Sequence, residues 1–349
     1  MSGPAAFLCK SRMRGGDLDE VRIGLIGCGG NMTGHLRRLL SVGDARVVGL
    51  ADPSQDSIKR IVKRVPEAGE LPTFDSHEKL IAGQALDAIV ISSPHTIHHE
   101  QIVYGLEAGL HVLTEKPMVC TVDHAKNVME LSEQAGRILM VSYQRHLAPS
   151  FRFMRNQIKS GEIGDLQFVN ALQDQAWYRN QQGKWRQVLS LSGGGQLNDS
   201  GSHLLDIVLW MVDQAPIEVS ARIEYFDKEV DINTSMQVVF ESGAIANFSV
   251  VGNGPGPGMW EDITLWGDKG AIYSRNEKLT CKYGADPVEI DDLPSRFTSP
   301  DQNFVDAILG RDSVQVPPIC GLRVIQLTEA AWESAEQGGR PVAVKQYPD

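Results

Sequence analysis

A glycine-rich turn between a short apolar run and a helical pattern narrows the possible folds more than any other stretch of this sequence. Val21–Gly27 is β-rich and apolar, and it runs into Gly27-Cys28-Gly29-Gly30-Asn31-Met32, after which helical periodicity begins around His35–Leu40. Glycines at a strand-to-helix turn allow a tight bend and close backbone approach, and the helix N-terminus behind them favours a pyrophosphate. A second apolar run, Ala45–Ala51, ends in Asp52, 25 residues beyond Gly27. Dinucleotide-binding units place their ribose carboxylate about 20 residues on. Met32 stands where such loops carry glycine or alanine, so the loop alone is a weak match. The strand before it, the helix after it and Asp52 make it a unit. The plain alternative is an ordinary Gly-rich βα turn, with Asp52 as a turn or capping residue. A carboxylate at 52 accepts from a ribose 2′-hydroxyl and repels a 2′-phosphate, so NAD is expected rather than NADP.

The same alternation continues. A charged helical segment, Gln55–Arg64, is followed by apolar runs at Asp87–Ser93, His111–Thr114 and Ile138–Ser142, with helical stretches at Ile97–Ala108 and Asp123–Ala135. Runs that are apolar throughout and alternate with helices indicate a parallel sheet covered on both faces. Residues 21–145 are therefore expected to form a doubly wound Rossmann domain. Beyond Ser150 the runs become more alternating: Asp165–Asp174, Ile217–Phe226, Thr234–Glu241, Ala244–Val251, Asp262–Trp266 and Ala271–Tyr273. Ser242-Gly243 and Gly267-Asp268-Lys269-Gly270 sit where hairpin turns belong. One strong helix, Ser202–Val212, and two late ones, Phe304–Leu309 and Leu322–Ala335, complete the pattern. The fold class is thus α/β, with a C-terminal α+β domain over 146–349 built on a large, mostly antiparallel open sheet. A chain of 349 residues accommodates both domains.

Composition excludes several roles. The net charge is −11, so nothing draws the chain to nucleic acid or to anionic membranes. No apolar run approaches the roughly 20 residues of a membrane span. The five cysteines form no C-x-x-C pair, which argues against a disulfide framework or a structural zinc site and for reduced thiols in a cytoplasm. Residues 1–20 carry Lys10, Arg12 and Arg14 and an apolar stretch, Ala5–Cys9, shorter than a signal-peptide core of about 7–15 residues. A disordered leader is expected there, with Met13 as a second possible start.

Two segments carry candidate chemistry. Glu115-Lys116-Pro117 follows the run His111–Thr114, which puts Lys116 at a carboxyl end of the parallel sheet, where ligands bind in open α/β folds. A lysine there can donate to a substrate hydroxyl; a surface Glu–Lys pair is the bland alternative. In Gly193–Asp206, Asp199 and His203 are four apart and His203 and Asp206 three apart, a spacing that shares one helix face. A histidine held by carboxylates is a good general acid/base; a core histidine with Asp199 as a cap is the alternative. No second His/Asp/Glu cluster completes a coordination shell, so no metal is expected. Trp185-Arg186 is a candidate cofactor clamp or a solvated loop pair, and Ser93-Pro94-His95-Thr96-Ile97-His98 lines the sheet's carboxyl edge.

Together these residues resemble the glucose–fructose oxidoreductase/inositol dehydrogenase (Gfo/Idh/MocA) family. The resemblance runs from Val21 to the end. It rests on residues 24–30, Pro94 with His98 and Glu100, residues 106–112, Glu115-Lys116-Pro117, Tyr143-Gln144-Arg145, Trp185-Arg186, Gly193–Asp206, and late segments at Asn303–Ile308 and Gly321–Ser334. It implies a nicotinamide cofactor at Gly27, Gly29, Gly30, Asn31, Met32, Asp52, Ser93, Pro94, His95, His98, Glu115, Lys116, Gln144, Trp185 and Arg186. It implies Lys116, Asp199 and His203 around the substrate carbon, closing helices at about 300–336 that pack back on the Rossmann domain, and a homodimer or homotetramer built by the open sheet. Met32 and His95 depart from the family pattern, the latter standing where asparagine is frequent. The expected reaction is hydride transfer between NAD and a secondary alcohol of a sugar, inositol or related polyol. The competing readings are an NAD-retaining enzyme that cleaves glycosidic bonds by transient oxidation, and a non-catalytic ligand sensor.

Overall fold

Apolar runs with no room for alternation become central strands. In the computed structural model, which describes residues 19–293 and 298–347, β1 (Val21–Ile26), β2 (Ala45–Ala51), β3 (Thr73–Phe74), β4 (Ala88–Ile91), β5 (His111–Thr114) and β6 (Leu139–Val141) form a sheet of order β3-β2-β1-β4-β5-β6. Every pair in it is parallel. The expected leader, apart from Asp19 and Glu20, lies outside the described residues. Helices α1 (Gly30–Leu40), α2 (Gln55–Arg64), α3 (His77–Gly83), α4 (His98–Glu107) and α5 (Val122–Ala135) make the connections. The strand order reverses between β1 and β4, which opens a crevice beyond their carboxyl ends. Gly27 lies at that crevice with φ +87°, and a β-carbon there would stand 2.6 Å from the Ser92 carbonyl oxygen. Only glycine lets the two turns touch.

The C-terminal part is a nine-stranded sheet. Its strands are β7 (Leu166–Gln175), β8 (Pro216–Glu224), β9 (Asn233–Phe240), β10 (Ile245–Val251), β11 (Met259–Gly267), β12 (Ala271–Arg275), β13 (Lys278–Lys282), β14 (Val288–Ile290) and β15 (Val342–Ala343), in the order β14-β13-β12-β11-β7-β10-β9-β8-β15. Its pairs are antiparallel except β7–β10. Alternation sorts the two faces: Met236 and Val238 of β9 point into the core, while Ser235 and Gln237 point out.

Helix α6 (Pro149–Lys159) and two short turns, α7 (Trp177–Asn180) and α8 (Leu189–Ser192), precede α9 (Gly201–Val212), which is buried along nearly its whole length. Helix α9 packs on β7, α6 and the long α11 (Pro318–Glu336). Helix α11 also touches β8 and α5, and α10 (Pro300–Ile308) lies against α1 and β5. The two sheets are therefore joined through helices at the end of the chain. Eight elements went unread in the sequence: β3 and β15 have only two residues each, β14 three, α7 and α8 four each, and α3, α6 and β13 carry mixed polar surfaces.

Replacing Gly27 with alanine is expected to destabilise the chain by about 2 kcal/mol or more, since strain and a backbone clash act together. Urea unfolding checks this; a midpoint equal to that of the unaltered chain would contradict it.

Candidate active site

Two cavities meet at Lys116. One, of about 620 Å³, runs from Gly27, Gly29 and Asn31 past Asp52 and Pro94 to Trp185. The other, of about 640 Å³, is walled by Gln144, Gln175, Trp177, Gln181, Ser200 and His203. Gly30, Asn31, Glu115, Lys116 and Arg186 border both. The turn Glu115-Lys116-Pro117, with a cis Lys116–Pro117 peptide, projects Lys116 from the end of β5 into this junction.

At the junction Lys116 Nζ donates to Asp199 Oδ1 at 2.8 Å and to the Asp199 carbonyl at 3.0 Å. Trp177 Nε1 donates to Oδ2 at 2.8 Å, and Arg186 Nε pairs with the same oxygen at 2.9 Å. His95 Nε2 lies 3.7 Å from Oδ1, while its Nδ1 bonds the Ser192 carbonyl at 3.1 Å. Burial alone would raise the Asp199 carboxyl, but Lys116, Arg186 and His95 overcome it and hold the group well below the usual carboxylate range. It is an anion at any working pH. His95 itself is pushed well below its ordinary value, chiefly by burial.

The arrangement differs from the shared helix face expected of Asp199, His203 and Asp206. Asp199 precedes α9, in a turn set by buried Asp231, which accepts from the Gly195 and Leu197 amides at 2.9 and 2.6 Å. Asp206 points away and bonds His146 Nε2 at 2.8 Å. Among the described residues neither carboxylate is hydrogen-bonded to His203, whose Nδ1 is buried without a partner and whose ring stands edge-on to Tyr143. Burial first, then Lys116 and Arg145, push His203 well below the usual histidine range. It is a neutral imidazole on the cavity wall, with nitrogen lone-pair capacity.

The remaining candidates divide. Gly27, Gly29, Gly30, Asn31, Asp52, Ser93, Pro94, His95, Glu115, Lys116, Trp185 and Arg186 all line the first cavity. Gln144 lines the second instead. Met32 is wholly buried in the core, because its unbranched side chain fills the space beneath α1. His98 lies behind the wall, its ring nitrogens 2.9 and 3.1 Å from the carbonyl oxygens of Pro117 and Ser93, and as a neutral imidazole it donates to one of the two. Asp52 accepts from the Cys28 amide and the Ser54 amide, each at 2.7 Å, and so braces the glycine loop from the cavity side. Arg186 stacks over Trp185 at 4.3 Å but spends its charge on Asp199. Burial and Asp52 push the Cys28 thiol up to about 12, which leaves it inert.

The first cavity fits a dinucleotide. Gly29 and Gly30 leave open space where a side chain would stand, and α1 begins with neither a capping side chain nor an acid in its first turn. Its first amides are free for a pyrophosphate. The far end adds residues that the sequence did not mark as site residues, among them Asp75, His77, Glu78 and Glu100. Glu115 is fixed from behind: His35 bonds its Oε1 at 3.0 Å and Asp301 of α10 at 2.6 Å, and Arg38 pairs with Asp301. Both ring nitrogens face carboxylates, so His35 is an imidazolium. Nothing near His35 in the sequence signals a partner in α10. Trp177, Gln181 and Arg186, all within residues 177–187, wall the second cavity. Among the described residues two groups of three place potential metal-ligand atoms within 4.8 Å, His146/Asp206/Cys320 and His77/Glu78/Glu100; neither includes Asp199 or His203.

Comparison with known proteins shows the family and the fold. A family model described as "Oxidoreductase family, NAD-binding Rossmann fold" matches residues 21–143, and "GFO/IDH/MocA C-terminal domain" matches residues 151–273. The rhizopine catabolism protein MocA of Rhizobium meliloti is 27% identical over 201 residues, 57% of this chain and 59% of that protein. An inositol 2-dehydrogenase of Corynebacterium glutamicum is 25% identical over 205 residues, 58% of this chain and 57% of that protein. The chain thus spans a little over half the length of these relatives. A levoglucosan dehydrogenase, solved with NADH and levoglucosan, has the same fold at a TM-score of 0.83 with 20% identity, covering 94% of this chain and 100% of its own. The aldose-aldose oxidoreductase of Caulobacter crescentus gives 0.80 and 21%, covering 93% and 99%.

His35 makes stability pH-dependent. Burial lowers its pKa, but Asp301 and Glu115 prevail and push it up to about 9. A folded-state value above the ordinary 6.5 stabilises the folded chain fully below pH 6.5, and that contribution fades as pH rises through 9. Unfolding free energy is expected to fall by about 3 kcal/mol between pH 6.5 and 9.5, and a His35→Asn variant to lose that slope. Urea titrations across the range check it, and equal slopes would contradict it.

Proposed function

The chain belongs to the Gfo/Idh/MocA oxidoreductase family, and on that premise we propose that it moves a hydride between NAD and a secondary alcohol of a sugar, inositol or related polyol. One observation carries the reading: the cofactor-shaped cavity and the polar cavity touch at Lys116, with Asp199 and His203 beside it. A bound nicotinamide would accept or return the hydride. The chain supplies alignment and the proton. His203, neutral before substrate arrives, takes the hydroxyl proton as the carbon is oxidised. Lys116 donates to the oxygen as negative charge grows on it. Asp199, anchored by Trp177 and Arg186, holds the Lys116 ammonium between the cavities. Inositol 2-dehydrogenase and levoglucosan dehydrogenase among the relatives act on such alcohols, as their names state.

The cofactor is NAD rather than NADP. Asp52, with Asp75, Glu78 and Glu100 along the same cavity end, opposes a 2′-phosphate. Residues 21–145 serve as the nucleotide half and 146–349 as the substrate and assembly half. The outer face of the nine-stranded sheet, where Phe168, Trp266 and Tyr273 stack edge to face, joins copies into a dimer or tetramer. Among the described residues four cysteines are free, which suits the reducing cytoplasm. Among the described residues no helix is long and apolar enough to cross a membrane.

A screen of polyols by NADH absorbance tests the activity, and the absence of any absorbance change with sugars, inositols or their keto forms would overturn it. His203→Ala is expected to lower kcat by roughly 10²–10⁴-fold while NAD affinity stays within about twofold. Turnover equal to the unaltered chain would remove His203 from the reaction. Asp52→Asn should raise the NADP-to-NAD preference by roughly tenfold; an unchanged ratio would free Asp52 of that role.

A further inference from the structure

The far end of the first cavity, away from the junction at Lys116, holds a histidine that hydride transfer does not use. His77 opens α3 and Glu78 follows it, while Glu100 reaches them from the first turn of α4. The His77 side chain is only 9% exposed, and its ring stands edge-on to Tyr104 with centroids 5.3 Å apart. Its Nε2 is buried without a hydrogen-bond partner and faces Glu100 Oε1 from 4.0 Å, while Nδ1 lies 3.4 Å from Glu78 Oε2. One ring nitrogen and one oxygen of each glutamate lie within 4.8 Å of one another. Among the described residues neither glutamate pairs with a lysine or an arginine, and the neighbouring Lys79 pairs with Asp75 at 2.7 Å.

The same chain shows how a proton fills such a gap. His35 also stands between two carboxylates, and as an imidazolium it holds them at 2.6 and 3.0 Å. Around His77 the separations stay at 3.4 and 4.0 Å, beyond ordinary hydrogen-bond length. A nitrogen and an oxygen 4.0 Å apart stand as two ligands of one ion do when each lies about 2.0–2.2 Å from it. From this contrast we propose that His77, Glu78 and Glu100 bind a divalent transition cation of the zinc class, with water in the remaining positions. An imidazole among the donors favours zinc over magnesium or calcium, which take all-oxygen sets. The glutamates are 44% and 67% exposed, so an ion enters from solvent without unfolding the chain. The ion sits at the cavity end where Asp52, Asp75, Glu78 and Glu100 oppose a 2′-phosphate. Its two positive charges offset two of those carboxylates, so the zinc-loaded chain admits NADP more readily. This consequence rests on the cofactor preference proposed above; the site itself does not.

The test titrates zinc chloride by calorimetry into the full chain, stripped of metal with a chelator and free of cofactor, with magnesium chloride as the comparison. Zinc is expected to bind more tightly than magnesium. His77→Gln and Glu100→Gln are each expected to weaken the zinc by at least about tenfold. Glu100→Gln alters an exposed side chain, so it keeps the test open if the buried His77→Gln chain fails to fold. No zinc binding, or zinc held equally well by a folded variant, overturns the site. NADPH and NADH affinities are then measured with and without bound zinc, after excess ion is removed. Zinc is expected to tighten NADPH about tenfold relative to NADH, and Glu100→Gln to lose that response. An NADPH affinity that bound zinc leaves unchanged overturns the consequence for the cofactor. A metal-free chain that binds NADPH as tightly as NADH overturns the NAD preference instead, and the zinc result stands apart from it.

Discussion

The Asp199 carboxylate holds the site together across the boundary between the two sheets. It comes from the C-terminal half, yet its Oδ1 accepts from Lys116, which stands at the end of a Rossmann strand. Its Oδ2 is gripped by Trp177 and Arg186 from its own half. Two donors on one oxygen stop the carboxylate from rotating, so the other oxygen must face Lys116 and His95. A buried anion is costly unless it is fully paired, and this one is paired on both sides. Removing any one partner would leave charge behind in the cavity wall. The place of Lys116, the lysine proposed to act on substrate, is therefore set by a single interaction that neither half can make alone.

A second charged cluster does similar work one layer back. Arg38, His35, Glu115 and Asp301 form two cations and two anions in alternation, linking α1, the turn after β5 and α10. The closing helix thereby fixes the residue next to Lys116. His98 adds a tie near β4's exit: its ring lies between the carbonyls of Pro117 and Ser93, and a neutral imidazole donates to one of them. The turn carrying Lys116 is held from behind by α1, α4 and α10, so little freedom is left to the residue proposed to meet substrate. Such preorganisation is what positioning contributes to catalysis.

Much of this was legible in the sequence, and the limits have physical causes. Runs bounded by turn residues were read with the same ends the structure shows: Ala45–Ala51, Gln55–Arg64 and His111–Thr114. The glycine loop and Asp52 were found because close approach and phosphate binding demand particular residues in a local order. Contacts between distant segments left no such trace. His35 meets Asp301 across 266 residues, and no spacing rule connects them. The parallel pairing of β7 with β10 is invisible for the same reason, since hairpin turns signal only antiparallel neighbours. The Asp199/His203 spacing pointed to a shared helix face, but the helix starts two residues after Asp199, and Asp231 sets the turn instead. Helical spacing predicts a shared face only where the helix already exists.

The central claim is that the junction at Lys116 passes a hydride between a polyol carbon and a nicotinamide. Isotope transfer examines it most directly. The chain would be incubated with NAD and polyols deuterated at their carbinol carbons, and the recovered nicotinamide examined by mass spectrometry. The account predicts reduced cofactor carrying one deuterium per turnover, delivered to one face of the ring. Ketone formation with the deuterium lost to solvent, or a cofactor recovered unlabelled, would contradict it.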